Sequence, residues 1–241
     1  MLTRFAVLLV LVLSAQASAG VLTFQEGVGG YSGNDATYIY FPNRTTIHDS
    51  LEFMNTGGSN NAALVRFNDV FGNGAGQVAQ GATINRATLT LTTLGGFVPR
   101  SNEVNDVYAI LQDWVSATTT WDSFVGGTSL AELQAKLSPA DSPFASFRPN
   151  ASLTAFDIDI TELVRAWSSG ALANHGLAIN NLNPGGDSAQ FFTDDAAEVS
   201  FRPLLTVEFD AAAVPAPPGV LLLTGLALVL LRRRHRSGIT A

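Results

Sequence analysis

Between residues 20 and 210 the chain consists of short runs rich in β-branched, aromatic and aliphatic residues, separated by clusters of Gly, Asn, Asp and Ser. Such punctuation predicts an antiparallel β-sandwich and not βαβ units. Strands are expected at residues 21–25, 37–41, 62–67, 83–93, 107–111, 153–158, 176–179, 189–192 and 204–209, nine or ten in all. In the 83–93 run Ile84, Ala87, Leu89 and Leu91 share a side, and the last three follow the period of two that marks a half-buried strand. Two short helices interrupt the series. One spans 129–137, with Ser129 and Glu132 as a capping box and Leu130, Leu133 and Leu137 at helical spacing. The other follows Asp159 or Thr161 as cap, buries Leu163, Val164 and Trp167 on one face and ends at Gly170.

The two ends carry a different pattern. Arg4, the apolar run 5–13 and the small residues Ala17 and Ala19 around Ser18 have the three parts of a secretory signal peptide, cut by a signal peptidase before Gly20. Nine apolar residues fall well short of the roughly 20 needed to span a bilayer. At the other end, Val214, Pro215, Ala216, Pro217 and Pro218 break the chain, residues 219–231 are apolar apart from Thr224, and Arg232, Arg233, Arg234 and Arg236 follow. Arginine clusters stay on the cytoplasmic side, so this order places the ectodomain outside and the C-terminus inside. Thirteen residues make a helix of roughly 20 Å against a hydrocarbon layer of roughly 30 Å, a marginal membrane anchor suited to temporary residence. The domain organisation is therefore a signal peptide at 1–19, one β-domain at 20–210 and a sorting or anchor segment at 211–241.

This tail resembles the PEP-CTERM sorting signal, which has a Val-Pro-x-Pro box, a short apolar helix and a terminal arginine cluster in that order; Ala216 stands where that family usually has Glu. The resemblance implies cleavage near residues 215–217 by a membrane-embedded exosortase in a Gram-negative bacterium that makes exopolysaccharide. A plain single-span anchor is the alternative, because proline and arginine flanks also suit ordinary spans.

Charge and composition narrow the function classes. All 20 acidic residues but only eight of the 13 basic ones lie in the β-domain, a formal charge of −12 there. Such a field disfavours nucleic acid and attracts divalent cations. Cysteine is absent, so neither disulfides nor thiol chemistry contribute. No Gly-x-Ser-x-Gly elbow, His-Glu-x-x-His, Walker loop or dinucleotide fingerprint occurs in the sequence, and His48 and His175 are the domain's only histidines. Asp157 and Asp159 share a strand face, a spacing common to many surface pairs. A non-catalytic protein is expected.

The β-domain itself resembles the disaggregatase-related DNRLRE domain. The resemblance rests on Phe24-Gln25-Glu26-Gly27, residues 35–39, Leu64-Val65-Arg66-Phe67, residues 82–91, Trp114, Thr120-Trp121, residues 157–164, Trp167, Gly170, Asn174-His175-Gly176-Leu177, Phe191-Phe192 and Arg202-Pro203-Leu204-Leu205. Asn68 and Asp69 follow Arg66-Phe67 where the family often has Asp at once, and 125–150 reads as an insertion. The resemblance implies a jelly-roll-like β-sandwich on secreted and surface proteins which, in some relatives, binds acidic polysaccharide such as alginate.

Three sets of candidate residues follow. Aromatic faces for sugar C–H surfaces are offered by Trp114, Trp121, Tyr31 and Tyr38, although tryptophans among apolar neighbours also suit a core. Arg66 and Arg86, with Arg100, Arg148 and Arg202, could hold uronic-acid carboxylates if clustered, or pair singly with Asp and Glu. Asn34, Asp35 and Asp194, with Asp187 and Asp195, lie in turn-rich stretches where hard oxygens could hold a structural calcium ion, though the same residues are good turn formers. The expectation is an exported, exosortase-sorted surface or matrix protein with a structural or adhesive role in extracellular polysaccharide. The alternatives are a specific module for acidic polysaccharide and, third, a polysaccharide-degrading enzyme. Burial of all three tryptophans would weaken the sugar-module reading.

Overall fold

The computed structural model describes residues 19–57, 61–96, 100–138, 142–181 and 187–210. The signal segment before Ala19 and the tail from residue 211, with Ala17, Val214, Pro215, Ala216, Pro217 and Arg232, Arg233 and Arg234, lie outside them. Among the described residues no helix is long and apolar enough to cross a membrane.

The protein is an all-β sandwich, jelly-roll-like in that the first and last strands lie side by side and the chain shuttles between two antiparallel sheets. Sheet A has the order β1 (Ala19–Gln25), β12 (Leu204–Asp210), β5 (Thr83–Thr92), β9 (Ala155–Asp159). Sheet B has the order β2 (Asn34–Tyr40), β4 (Asn61–Phe67), β10 (Leu177–Asn180), β6 (Asn105–Ile110), and β6 also carries two short strands, β7 (Leu137–Ser138) and β8 (Ala145–Phe147). A further pair, β3 (Phe53–Thr56) with β11 (Ala189–Phe192), contributes Met54 and Phe191 to the core. The nine expected strands all form, within three residues of their expected ends. The three missed strands β3, β7 and β8 are two to four residues long, too short for alternation to show.

The core between the sheets is made by alternate residues from each: Phe24, Leu89, Leu91, Leu205 and Val207 from sheet A against Ala63, Val65, Val107, Ala109, Leu177 and Ile179 from sheet B. A β-bulge explains the broken alternation of β5. Glu208 pairs with Arg86 but Phe209 with Ile84, so Asn85 is an extra residue, and Ile84 returns to the inner face out of phase with Ala87, Leu89 and Leu91.

Sheet B is buried on its other face as well, which is why β4 and β10 are almost continuously apolar. Ile39, Leu64, Tyr108, Ile110 and Ala178 pack against Trp114, Trp121, Phe124, Val125, Leu133 and Leu137 in a second core. This layer is built on α1 (Trp121–Val125), capped by Thr120 with Ser123, and α2 (Leu130–Gln134), capped by Ser129 with Glu132. The capping box at Ser129 forms as expected. Leu137 lies in β7 and not in the helix, and α1 is a helix the sequence reading lacked, since five residues give no full apolar period. The third helix, α3 (Thr161–Ser169), ends at Gly170 with φ 76° and adds Leu163, Val164 and Trp167 to the main core. Asp159 accepts hydrogen bonds from both the backbone N–H and the hydroxyl of Thr161, turning the chain from β9 into the helix.

Candidate functional site

Four strand ends of sheet B meet where β2 begins, β4 ends, β6 has just ended and β10 is about to begin. The turn before β10 is Asn174-His175-Gly176. Asn174 donates from Nδ2 to the Phe67 carbonyl (2.9 Å) and accepts from the Gly176 N–H (3.1 Å). Gly176 has φ 86°, and a Cβ there would lie 2.4 Å from the Val65 carbonyl oxygen, so only glycine lets this turn press against β4. Trp114 donates from Nε1 to the His175 carbonyl at 2.7 Å.

Arg66 occupies the centre. Its guanidinium lies 5.0 Å from the centre of the Trp114 ring, with Nη2 2.9 Å from Asp35 Oδ2 and Nη1 2.7 Å from Asp113 Oδ1. The Asp113 carboxylate also accepts from the Trp114 backbone N–H at 2.9 Å and lies 3.9 Å from His175 Nδ1. Asn68 donates to Asp35 Oδ2 at 2.9 Å, and Asn34 donates from its side chain to the Arg66 carbonyl at 2.9 Å. The Arg66 side chain is only 13% exposed whereas Asp113 is 72% exposed, so the ion pair has one dry and one wet partner. Asp35, Arg66, Trp114 and the Asn174-His175-Gly176 turn, distant in sequence, thus form one knot.

Beside the knot, carboxylates serve the free edge of β2. Asp194 Oδ1 accepts from the Ala36 N–H (2.8 Å) and Glu26 from the Asn34 N–H (3.2 Å). Burial, with Asp195 and Asp35 adding like charge, pushes the Asp194 carboxyl up to about 7, against the pull of hydrogen bonds from its own and the Ala36 backbone. Tyr31, whose hydroxyl donates to the Asn68 carbonyl at 2.8 Å, has its phenol pushed up by burial and by Glu26, Asp69 and Asp35. Asn34, Asp35 and Asp194, the calcium candidates, all lie at or beside the start of β2, where each has its own partner. Here Asp35 serves Arg66 and Asn68 while Asp194 serves Ala36, and among the described residues no group of three or more His, Asp or Glu side chains is arranged to hold a metal ion.

The tryptophans take the core placement that their apolar neighbours suggest. Trp114, Trp121 and Trp167 are 4%, 1% and 3% exposed. Trp114 and Trp121 belong to the second core, where Trp121 Nε1 donates to the Gly127 carbonyl at 2.8 Å, and Trp167 belongs to the main core. Tyr38 is buried too, stacked on His48 with ring centres 4.0 Å apart. None of these rings offers a flat face to a sugar, because sheet B is covered on both sides. Arg86 is exposed on sheet A opposite Glu208, in the other sheet from Arg66. Arg202 is bound to the carbonyls of Ala196 and Glu26, and Arg148 to that of Asn102. These arginines serve separate local contacts and form no cluster.

The sequence reading missed the role of His48. It is buried against Tyr38, its Nε2 has no hydrogen-bond partner among the described residues, and burial lowers its pKa below the usual histidine value. Its sequence neighbours gave no sign of burial, since Asp49 and Ser50 are polar and the apolar Ile47 is itself 47% exposed.

No family model matches the chain, and no curated protein matches it closely enough to suggest an assignment.

Proposed function

We propose that this is an exported surface or extracellular-matrix protein of a Gram-negative bacterium. A signal peptidase releases it at Ala19, its C-terminal segment holds it in the inner membrane with the C-terminus cytoplasmic, and an exosortase then passes it to the cell surface or to extracellular polysaccharide. Its own role is structural or adhesive and non-catalytic.

One observation carries this reading. Among the described residues the outermost strands, Ala19–Gln25 and Leu204–Asp210, lie between the small-residue cleavage pattern and the proline-containing segment that holds Val214, Pro215, Ala216 and Pro217. These two strands pair along their whole length, Ala19 opposite Asp210 and Gln25 opposite Leu204. The buried hydrophobic residues among those described run from Phe24 to Val207, so a cut at either proposed site removes none of them. The polar knot supports a non-catalytic role, since its charged side chains are engaged with one another and with strand ends.

The test is the intact mass of the protein recovered from medium and membrane of the native host. A species beginning near Gly20 and ending near Pro215 is expected. Recovery of full-length protein in the membrane alone, extending through Ala241, would reduce the tail to an ordinary anchor and remove the sorting step.

A further inference from the structure

We infer that the outer edge of β1 is a pairing surface for a second copy of this chain, with the two β1 strands running antiparallel about a two-fold axis at Leu22. The surface follows from how the edges of the two main sheets are finished. An unpaired strand edge invites another strand, and proteins blunt such edges with charges, prolines, bulges, short strands or covering segments.

Among the described residues three of the four edges are blunted. β9 carries Asp157 and Asp159, both exposed. The edge N–H groups of β2 at Asn34 and Ala36 are taken by the carboxylates of Glu26 and Asp194. The outer side of β6 is occupied by β7 and β8, which are two and three residues long. β1 differs from all three. Its sequence AGVLTFQ has no charge and no proline, and it pairs with β12 over seven residues without a bulge. Val21 on it is 63% exposed, the highest value among the large apolar side chains of the described residues. Beside residues 21–24 runs an open groove of about 630 Å³ whose far wall is glycine-rich, residues 28–33 and 74–77, with Asp69 as its one charged residue. Gly29, Gly30 and Gly76 have open space where a side chain would project.

Charge selects the occupant. The domain carries eight basic against 20 acidic residues, so most faces of one copy repel those of another, and a basic partner would be drawn to the carboxylates, Asp69 in the groove among them, and not to the uncharged strand edge itself. Two β1 edges can meet without apposing any charge. With the axis at Leu22, Val21 of each copy faces Thr23 of the other and Gly20 faces Phe24, joining the two four-stranded sheets into one of eight. Such pairing adds to the structural role proposed above without depending on it.

The test is sedimentation velocity on residues 20–210, whose sheets and both cores close within that span, across a concentration series. Two double variants carry the argument, because Val21 and Thr23 both point to solvent. Val21→Lys with Thr23→Lys places like charges directly opposite each other across the axis, whereas Val21→Lys with Thr23→Glu places opposite ones there. The wild-type protein and the Lys/Glu variant are expected to sediment as dimers and the Lys/Lys variant as a monomer, with thermal unfolding showing that all three are folded. A wild-type protein that stays monomeric throughout, or a dimer that persists in the Lys/Lys variant, would overturn the inference.

Discussion

Arg66 shows how a single side chain can be held by three different forces at once. A planar guanidinium can stack on Trp114 while its edge serves Asp35 and Asp113, which a lysine could not do. The exposed Asp113 arm contributes little, within about 1 kcal/mol, and the drier Asp35 arm with the Trp114 stack holds more. Two other buried groups give the domain a pH response of opposite signs. Asp194 is raised from 3.8 to about 7, so the folded state holds its proton more tightly; its contribution to stability is full below pH 3.8 and is lost as pH rises through about 7. His48 is lowered from 6.5, so its contribution is full above that value and is lost as pH falls below it. In Asp194→Asn the amide oxygen still accepts from Ala36 but no charge is buried. Urea unfolding at pH 8 should find this variant more stable than wild type by on the order of 2 kcal/mol, and unfolding at pH 4 should find the two alike. An equal difference at both pH values would mean that Asp194 does not titrate in this range.

At the scale of elements, the segment between Trp114 and Leu137 changes what sheet B is. The resemblance reads 125–150 as an insertion. The first part of that stretch, with Phe124 just before it, helps to supply a second layer, in which Phe124, Val125, Leu133 and Leu137 lie on Ile39, Leu64, Tyr108 and Ala178. The two capping boxes make this possible, since helices of five residues are too short to be stable by hydrogen bonding alone and need both satisfied ends and tertiary contact. Trp121, 1% exposed and set edge-on to Phe41 at 5.4 Å, anchors the layer. Trp121→Ala should cost about 3–5 kcal/mol in denaturant unfolding. A loss below about 1 kcal/mol would show that the layer is dispensable to the sandwich.

For the whole molecule, the pairing of β1 with β12 decides where the chain can be cut. Removal of residues 1–19 and 211–241 leaves the ladder from Gly20 opposite Phe209 to Gln25 opposite Leu204 intact. Thermal unfolding of residues 20–210 should therefore remain cooperative. Removal through Gln25 takes away Phe24, 2% exposed in the main core, a loss of about 3–5 kcal/mol from one side chain in a fold whose whole stability is about 5–15 kcal/mol. Residues 26–210 should melt without a cooperative transition. A sharp transition in that fragment would mean that β1 is an accessory strand and that the boundary at Ala19 has no structural meaning.

Much of this fold was legible along the chain because each half-buried strand advertises itself locally: alternation in 83–93, including the phase break that became the Asn85 bulge, and turn residues between the runs. The Ser129 capping box and the Gly170 stop were equally local. The chain alone also determined the charge balance and the absence of thiols. Only the tertiary structure decided which aromatic residues face solvent. A tryptophan reads the same in sequence whether it faces solvent or a neighbouring layer; Trp114, beyond the end of β6, is buried in the second core against sheet B, and its Nε1–H is taken by the His175 carbonyl, 61 residues away. Likewise the choice between a free arginine and a clamped one depended on Asp35 arriving from β2 and Asp113 from the segment that follows β6, because a charged side chain's partners are set by strand order and not by spacing.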